Sequence, residues 1–190
     1  MALGLGMLLV AAAWGKSPHM VAVELDHPQL HYQGIRYLDV KPDRVRFSRF
    51  EPGLLKLGKP QLGFNPVKAR NTTGGVIAFR TDSPSVQLKF RPTADLNRGS
   101  EFAAFIDGQF TQSFRFSRNE QEIEIRLESA RGGNSHLWEL TLPSFSNPEL
   151  VRFELEKGAE MEPPHVSGRK VYVALGDSIT HGTGQGSATH

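Results

Sequence analysis

Between Val21 and Glu156 the chain alternates apolar and polar residues in run after run, and no stretch there carries a convincing helical period. Ser85-Val86-Gln87-Leu88-Lys89-Phe90-Arg91 puts Val86, Leu88 and Phe90 on one face. Glu122-Ile123-Glu124-Ile125-Arg126-Leu127-Glu128 is the clearest case. Arg44-Val45-Arg46-Phe47-Ser48 alternates too, and Val76 to Thr81 more weakly. Trp138, Leu140 and Leu142 form another face, and Val151, Phe153 and Leu155 a further one. A period of two turns every second side chain to the same side, so each run is a strand with one face for the core and one for water. Asp82-Ser83-Pro84, Asn97 to Ser100, Arg131 to Asn134 and Ser144 to Pro148 punctuate the runs at short spacing. Many short strands so spaced predict a mainly β fold, an antiparallel β-sandwich of the jelly-roll kind, over residues 20–157.

One turn is specified by its residues. Asp107-Gly108 stands between Phe102 to Ile106 and Gln109 to Gln112, and Asp-Gly accepts the positive φ angles of a two-residue hairpin. Phe114 and Phe116 are expected to continue the face begun by Phe110. Glu51 to Gly75 is rich in Gly, Pro, Lys and Asn but keeps Leu54, Leu55, Leu57, Leu62 and Phe64. It reads as a long connection that packs over one end of the sandwich.

Charge is uneven along the 190 residues. Residues 30–100 hold 13 Lys and Arg against 5 Asp and Glu, whereas 101–190 hold 8 against 13, and the whole chain is +2. A nucleic-acid surface needs its basic residues clustered with stacking aromatics. Here Arg44, Arg46, Arg80, Lys89 and Arg91 are spread among apolar residues along strands. They read as a solvated sheet face, partly neutralised by the acidic second half, so no nucleic-acid partner is expected. There is no cysteine, hence no disulfide and no thiolate metal site.

Met1 to Ala13 is apolar apart from glycine, too short to span a bilayer comfortably, and ends in Ala11-x-Ala13. That is the length of a signal-peptide core with a cleavage pattern, although no Lys or Arg precedes it. A signal peptide over 1–15, export to the periplasm or medium, and no stable membrane span are the expectations.

Gly158, Pro163, Pro164 and Gly168 mark residues 158–168 as a linker. Then Val171-Tyr172-Val173-Ala174-Leu175 runs without a break into Gly176-Asp177-Ser178-Ile179-Thr180-His181-Gly182. An unbroken apolar run reads as a strand buried on both faces, as in a parallel α/β sheet. Glycine then turns the chain, and Ser178 lands where a helix would start. Backbone N–H groups there favour negative charge, which an attacked ester develops on its carbonyl oxygen.

These residues resemble block I of the SGNH (GDSL) hydrolases, a family of serine esterases and lipases. The match is the apolar strand, Gly176-Asp177-Ser178, then Ile179-Thr180-x-Gly182. The resemblance implies an α/β hydrolase domain beginning at 169–190 and represented in this chain only by its first strand and turn. It implies acyl-ester hydrolysis through a serine ester, with no cofactor. Ser178 would be the nucleophile and its N–H one oxyanion donor, and Asp177 a neighbour that fixes the loop. The family's base is a histidine three residues after an aspartate, and no Asp-x-x-His occurs in this chain. Its oxyanion glycine and asparagine come from blocks beyond this chain. His181 shares a helical face with Ser178, but Asp177 is placed to point elsewhere than at its ring, so a local triad is not expected. His19, His27, His31, His136, His165 and His190 have no metal-ligand spacing and read as surface or loop residues.

Several secreted members of the resembled family, some acting on acetylated plant polysaccharides, carry a jelly roll ahead of the hydrolase domain. The order in this chain matches, and a carbohydrate ester is the substrate that this analogy implies. Trp138, Tyr32 and Tyr37 are the candidate sugar platforms, although Trp138 is in phase with core leucines. Two other readings remain: a stand-alone glycan- or partner-binding sandwich, and an inactive truncated product.

Overall fold

A computed structural model of the chain describes residues 19–57, 65–93, 99–117, 119–129 and 134–164. These build a mainly β, jelly-roll-like sandwich of two antiparallel sheets with almost no helix. Strands are β1 (Met20–Ala22), β2 (His31–Gln33), β3 (Tyr37–Lys41), β4 (Arg44–Ser48), β5 (Val76–Thr81) and β6 (Ser85–Arg91). There follow β7 (Glu101–Ile106), β8 (Gln109–Arg115), β9 (Ile123–Glu128), β10 (His136–Thr141), β11 (Glu149–Glu156) and β12 (Met161–Glu162). One sheet runs β3-β4-β11-β6-β9, with β1 on the β4 side of β11. The other runs β12-β5-β10-β7-β8, with β2 also on β5. From β4 onward the chain changes sheet at every connection except the β7–β8 hairpin, so sequence neighbours face one another across the core.

Alternation decides which side chains fill that core. Val86, Leu88, Phe90, Ile125, Phe153 and Leu150 from the first sheet are buried against Ile77, Phe79, Phe102, Ala104, Trp138 and Leu140 from the second. Phe79 lies parallel to Trp138 at 6.4 Å within its own sheet and meets Phe153 edge to face at 4.8 Å across the sandwich. The expected faces of β4, β6, β9 and β10 are the observed ones.

Two faces differ from expectation, and a bulge is the cause of each. In β11 the register against β6 shifts between Leu150 and Arg152. Val151 is the extra residue, so Leu150, not Val151, is the core partner of Phe153 and Leu155. In β8 the register against β7 shifts between Ala104 and Phe105, which leaves Thr111 as the extra residue. Phe110 is thereby turned to the outer face, 55% exposed, where its ring meets Phe105 at 5.8 Å, while Phe116 is in the core. A one-residue insertion inverts all phase beyond it, and composition does not announce it.

The connection after β4 holds a 3₁₀ turn at Leu54–Lys56 and the short helix α1 (Pro66–Ala69). Asn65 starts α1 by accepting from the Val67 and Lys68 N–H groups, and Pro66 fits the first helical position. The chain then enters a buried polar knot at one end of the sandwich. Thr72 Oγ1 donates to the carbonyls of Pro143 and Ser146, at 2.9 and 2.8 Å, and Asn71 Oδ1 accepts from the N–H groups of Thr73 and Phe145. Ser146 Oγ donates to the Gly99 carbonyl at 2.6 Å. A Cβ on Gly99 would stand 1.7 Å from the Ser144 carbonyl oxygen, so this approach admits only glycine.

At the other extreme of the chain, β1 enters beside β11, and the Lys157 N–H donates to the His19 carbonyl at 2.8 Å. Past β11, Met161–Glu162 pairs with β5, so sheet hydrogen bonding continues into the stretch whose composition reads as a linker.

Phe79→Ala should cost about 3–5 kcal/mol in urea unfolding, because it opens a hole shared by both sheets. Phe110→Ala should change stability by less than about 0.5 kcal/mol. Equal losses from the two would contradict an inward Phe79 on β5 and an outward Phe110 on β8.

Candidate functional site

Ser178 and Asp177, with His181 and the strand before them, lie outside the described residues, as does the expected signal peptide over 1–15. What the described residues offer is the wall and the two ends of the sandwich.

At the end opposite the polar knot, the β7–β8 turn folds back onto β10. Asp107 and Gly108 have φ of 51° and 75°, the conformation that Asp-Gly was expected to supply. Asp107 Oδ1 accepts from the Leu137 N–H at 2.9 Å, and Oδ2 lies 2.6 Å from His136 Nδ1. Burial works against a charge on Asp107, but the hydrogen bonds from His136 and Leu137, helped by the charges of His136 and Arg80, outweigh it and hold the carboxyl below its usual range. His136 is therefore not the surface residue expected of it: it is 6% exposed and bound to a carboxylate. Its phase was legible, since it precedes Trp138 by two residues on the same strand. The pair has the geometry of an imidazole and its orienting acid, and it ties a hairpin to its neighbour.

The outer face of the first sheet carries the basic residues. Glu149 of β11, its side chain 4% exposed, is surrounded by Arg44 and Arg46 of β4 and Arg91 of β6; Arg46 Nε donates to its Oε1, and the other two stand at 3.8 and 3.9 Å. Lys89 reaches Glu122 and Glu124 at 2.9 and 3.0 Å. This is the partly neutralised sheet face that the alternation implied. Two flanking cations differ. Arg49, half-buried beyond β4, has an Nε without a hydrogen-bond partner, and burial pushes its guanidinium below its usual range. Arg70 closes α1 and makes one 3.4 Å contact with the Pro66 carbonyl.

Of the three candidate sugar platforms, Trp138 is excluded, because it is fully buried. Tyr32 is half-buried against Phe47 and donates its hydroxyl to the Leu25 carbonyl at 2.6 Å; burial first, then the charge of Asp26, pushes that hydroxyl's pKa up. Tyr37 is half-buried on edge strand β3, with the Arg36 guanidinium 5.7 Å from its ring centre. A cleft of about 370 Å³ opens beside it, between β3, β4 and the connection. Among the described residues no three His, Asp or Glu side chains stand close enough to hold a metal, and no helix is long and apolar enough to cross a membrane.

No family model matches the chain, and no curated protein matches it in sequence. Solved structures do match. A salicylyl-acyltransferase from a tetracycline biosynthetic pathway superposes with a TM-score of 0.75 at 23% identity, over 89% of this chain and 49% of that one. A protein of Bacteroides ovatus described as a GDSL-like lipase gives 0.55 at 15% identity, over 76% of this chain and 43% of that one. An acetyl xylan esterase from the rumen bacterium Butyrivibrio proteoclasticus gives 0.53 at 13% identity, over 80% and 35%. At these identities the likeness establishes the fold: the sandwich is one also found in an acyltransferase and in esterases. The chain spans about half the length of the acyltransferase and about a third of the esterase.

The Asp107 carboxylate should stabilise the fold only while ionised. Its pKa is depressed on folding, so its contribution is complete above the ordinary aspartate range, near pH 4, and is lost as pH falls through the lower folded value. In urea melts the gap between the wild type and Asp107→Asn should be widest above about pH 5 and should narrow toward about pH 2. A gap constant over that span would remove the charge from the account.

Proposed function

We propose that this chain is the amino-terminal portion of an exported serine ester hydrolase of SGNH type, which cleaves acyl esters, acetyl esters of carbohydrate foremost. The observation that carries the reading is the order of two features in one chain. A sandwich of a fold shared with an acyltransferase and an acetyl xylan esterase comes first, and Gly176-Asp177-Ser178 follows it in sequence, behind the apolar run Val171 to Leu175. In this proposal residues 20–157 are the ancillary domain, 158–168 the linker and 169–190 the start of the hydrolase domain.

The chemistry follows from the residue types. Ser178 Oγ would attack the ester carbonyl once a base takes its proton, and a tetrahedral oxyanion would form against the Ser178 N–H. Collapse releases the alcohol and leaves an acyl-serine, which water then hydrolyses. Asp177 would fix the loop and move no proton. In this proposal the base and the remaining oxyanion donors would come from sequence outside these 190 residues.

The 190-residue chain should not hydrolyse p-nitrophenyl acetate above a Ser178→Ala control, because Ser178 lacks its base. In a chain extended through the complete reading frame activity should appear. There Ser178→Ala should lower it by about a thousandfold to a millionfold, and Asp177→Asn by less. Undiminished activity in the extended Ser178→Ala protein would remove Ser178 as nucleophile. Export is tested separately. Mass spectrometry of the protein from an exporting host should find the mature amino terminus between Trp14 and Lys16, and a species retaining Met1 would contradict it.

A further inference from the structure

The basic excess of residues 30–100 is only partly neutralised in the fold. Arg44, Arg46 and Arg91 share Glu149, and Lys89 has two glutamates. Lys56 and Arg70 make no ion pair with any described carboxylate. Both line the 370 Å³ cleft, together with Tyr37, Asp39, Arg46 and Phe47. A second hollow of about 140 Å³, reaching Thr93 and Asn147, shares Arg46, Phe47 and Arg70 with it, so the two are adjoining. The charged lining is three cations and one carboxylate, and that carboxylate, Asp39, stands 4.0 Å from Arg44 outside the cleft. Glu149 holds Arg46 in place through its Nε.

A volume of 370 Å³ is in the lower range of small-molecule sites and suits one or two sugar rings, not a duplex. Single-stranded nucleic acid needs successive aromatic platforms, and among the described residues Tyr37 is the one tyrosine or tryptophan lining the cleft. Tyr37, Leu38 and Leu55 are among the lining residues and supply apolar surface for the C–H face of a sugar. Guanidinium forks suit carboxylates.

We infer that this cleft binds an acidic saccharide, its uronate carboxylate held by Arg70 and Lys56 and its ring against the apolar part of the lining. The anionic half of this inference rests on the cleft alone. The saccharide half rests on the carbohydrate-ester reading above.

The test is calorimetric titration of the 190-residue chain with trigalacturonic acid, neutral xylotriose and inorganic phosphate. Trigalacturonate should bind with Kd below about 1 mM at about 0.05 M salt, and more weakly at about 0.5 M. Lys56→Gln with Arg70→Gln should weaken it by about tenfold or more. Lys89→Gln, a charge loss on the same sheet but among glutamates, should leave it unchanged. Amide shifts in the wild type, which need no variant to fold, should move at Tyr37, Leu38 and Arg70. No binding of trigalacturonate overturns the inference. So do equal affinity for xylotriose, equal affinity for phosphate, and shifts confined elsewhere. Ester turnover enters none of these measurements, so loss of the Ser178 assignment and loss of this site are told apart.

Discussion

The two sheets meet through aromatic side chains, Phe79 edge to face on Phe153 and Phe90 on Phe102. Among the described residues no backbone hydrogen bond of the strand ladders joins one sheet to the other, so the sandwich is held by side chains in phase. Because the chain changes sheet at nearly every connection, each strand's apolar face must match the sheet opposite as well as its neighbours in its own. Most pairings are between residues far apart in sequence, such as Thr81 with His136 and Val45 with Leu150. Loop closure must precede such contacts, which makes this a slow-folding topology for its size.

Buried polar groups mark the places where the apolar core runs out. Glu149 sits one residue before the shifted register of β11 and draws in side chains from β4 and β6. A carboxylate so covered needs all its partners, and displacement of β11 by one residue would strand it. Thr72, Asn71 and Ser146 do the same work past the end of β10, and Asp107 with His136 does it at the start of that strand. Such groups add little net stability, but each penalises a two-residue slip, which keeps the apolar phase and which the apolar faces alone would tolerate.

Local pattern carried the strands a long way. The alternation at Val86 to Phe90 and Ile123 to Leu127, the Asp107-Gly108 turn and the burial of Trp138 could all be read from neighbouring residues, because each depends only on a period of two or on φ. Val151 and Thr111 could not, since a bulge exists only relative to a partner strand that is not adjacent in sequence. The bond of His136 to Asp107 was hidden for the same reason, since the carboxylate is 29 residues away, whereas its burial follows from its phase with Trp138. The arginines near Glu149 were legible as a sheet face but not as one cluster, and the cleft at Arg46 and Arg70 requires strands and connection together. Gly176-Asp177-Ser178 carries a proposed nucleophile without a setting, since the base and donors that such a serine needs are not adjacent to it in sequence.

The pairing of β1 with β11 has a mechanical consequence. His19 and Lys157 are joined at the same end of an antiparallel pair, so the chain enters the sandwich beside the point where β11 leaves it. Tension on whatever precedes His19 is directed at one hydrogen bond at a time, beginning with the Lys157 N–H, as a zip opens rather than as a rope shears. The first strand can therefore peel under a small load while the Phe79–Phe153 contact, deeper in, stays closed. A module joined in this way yields at its seam before its core.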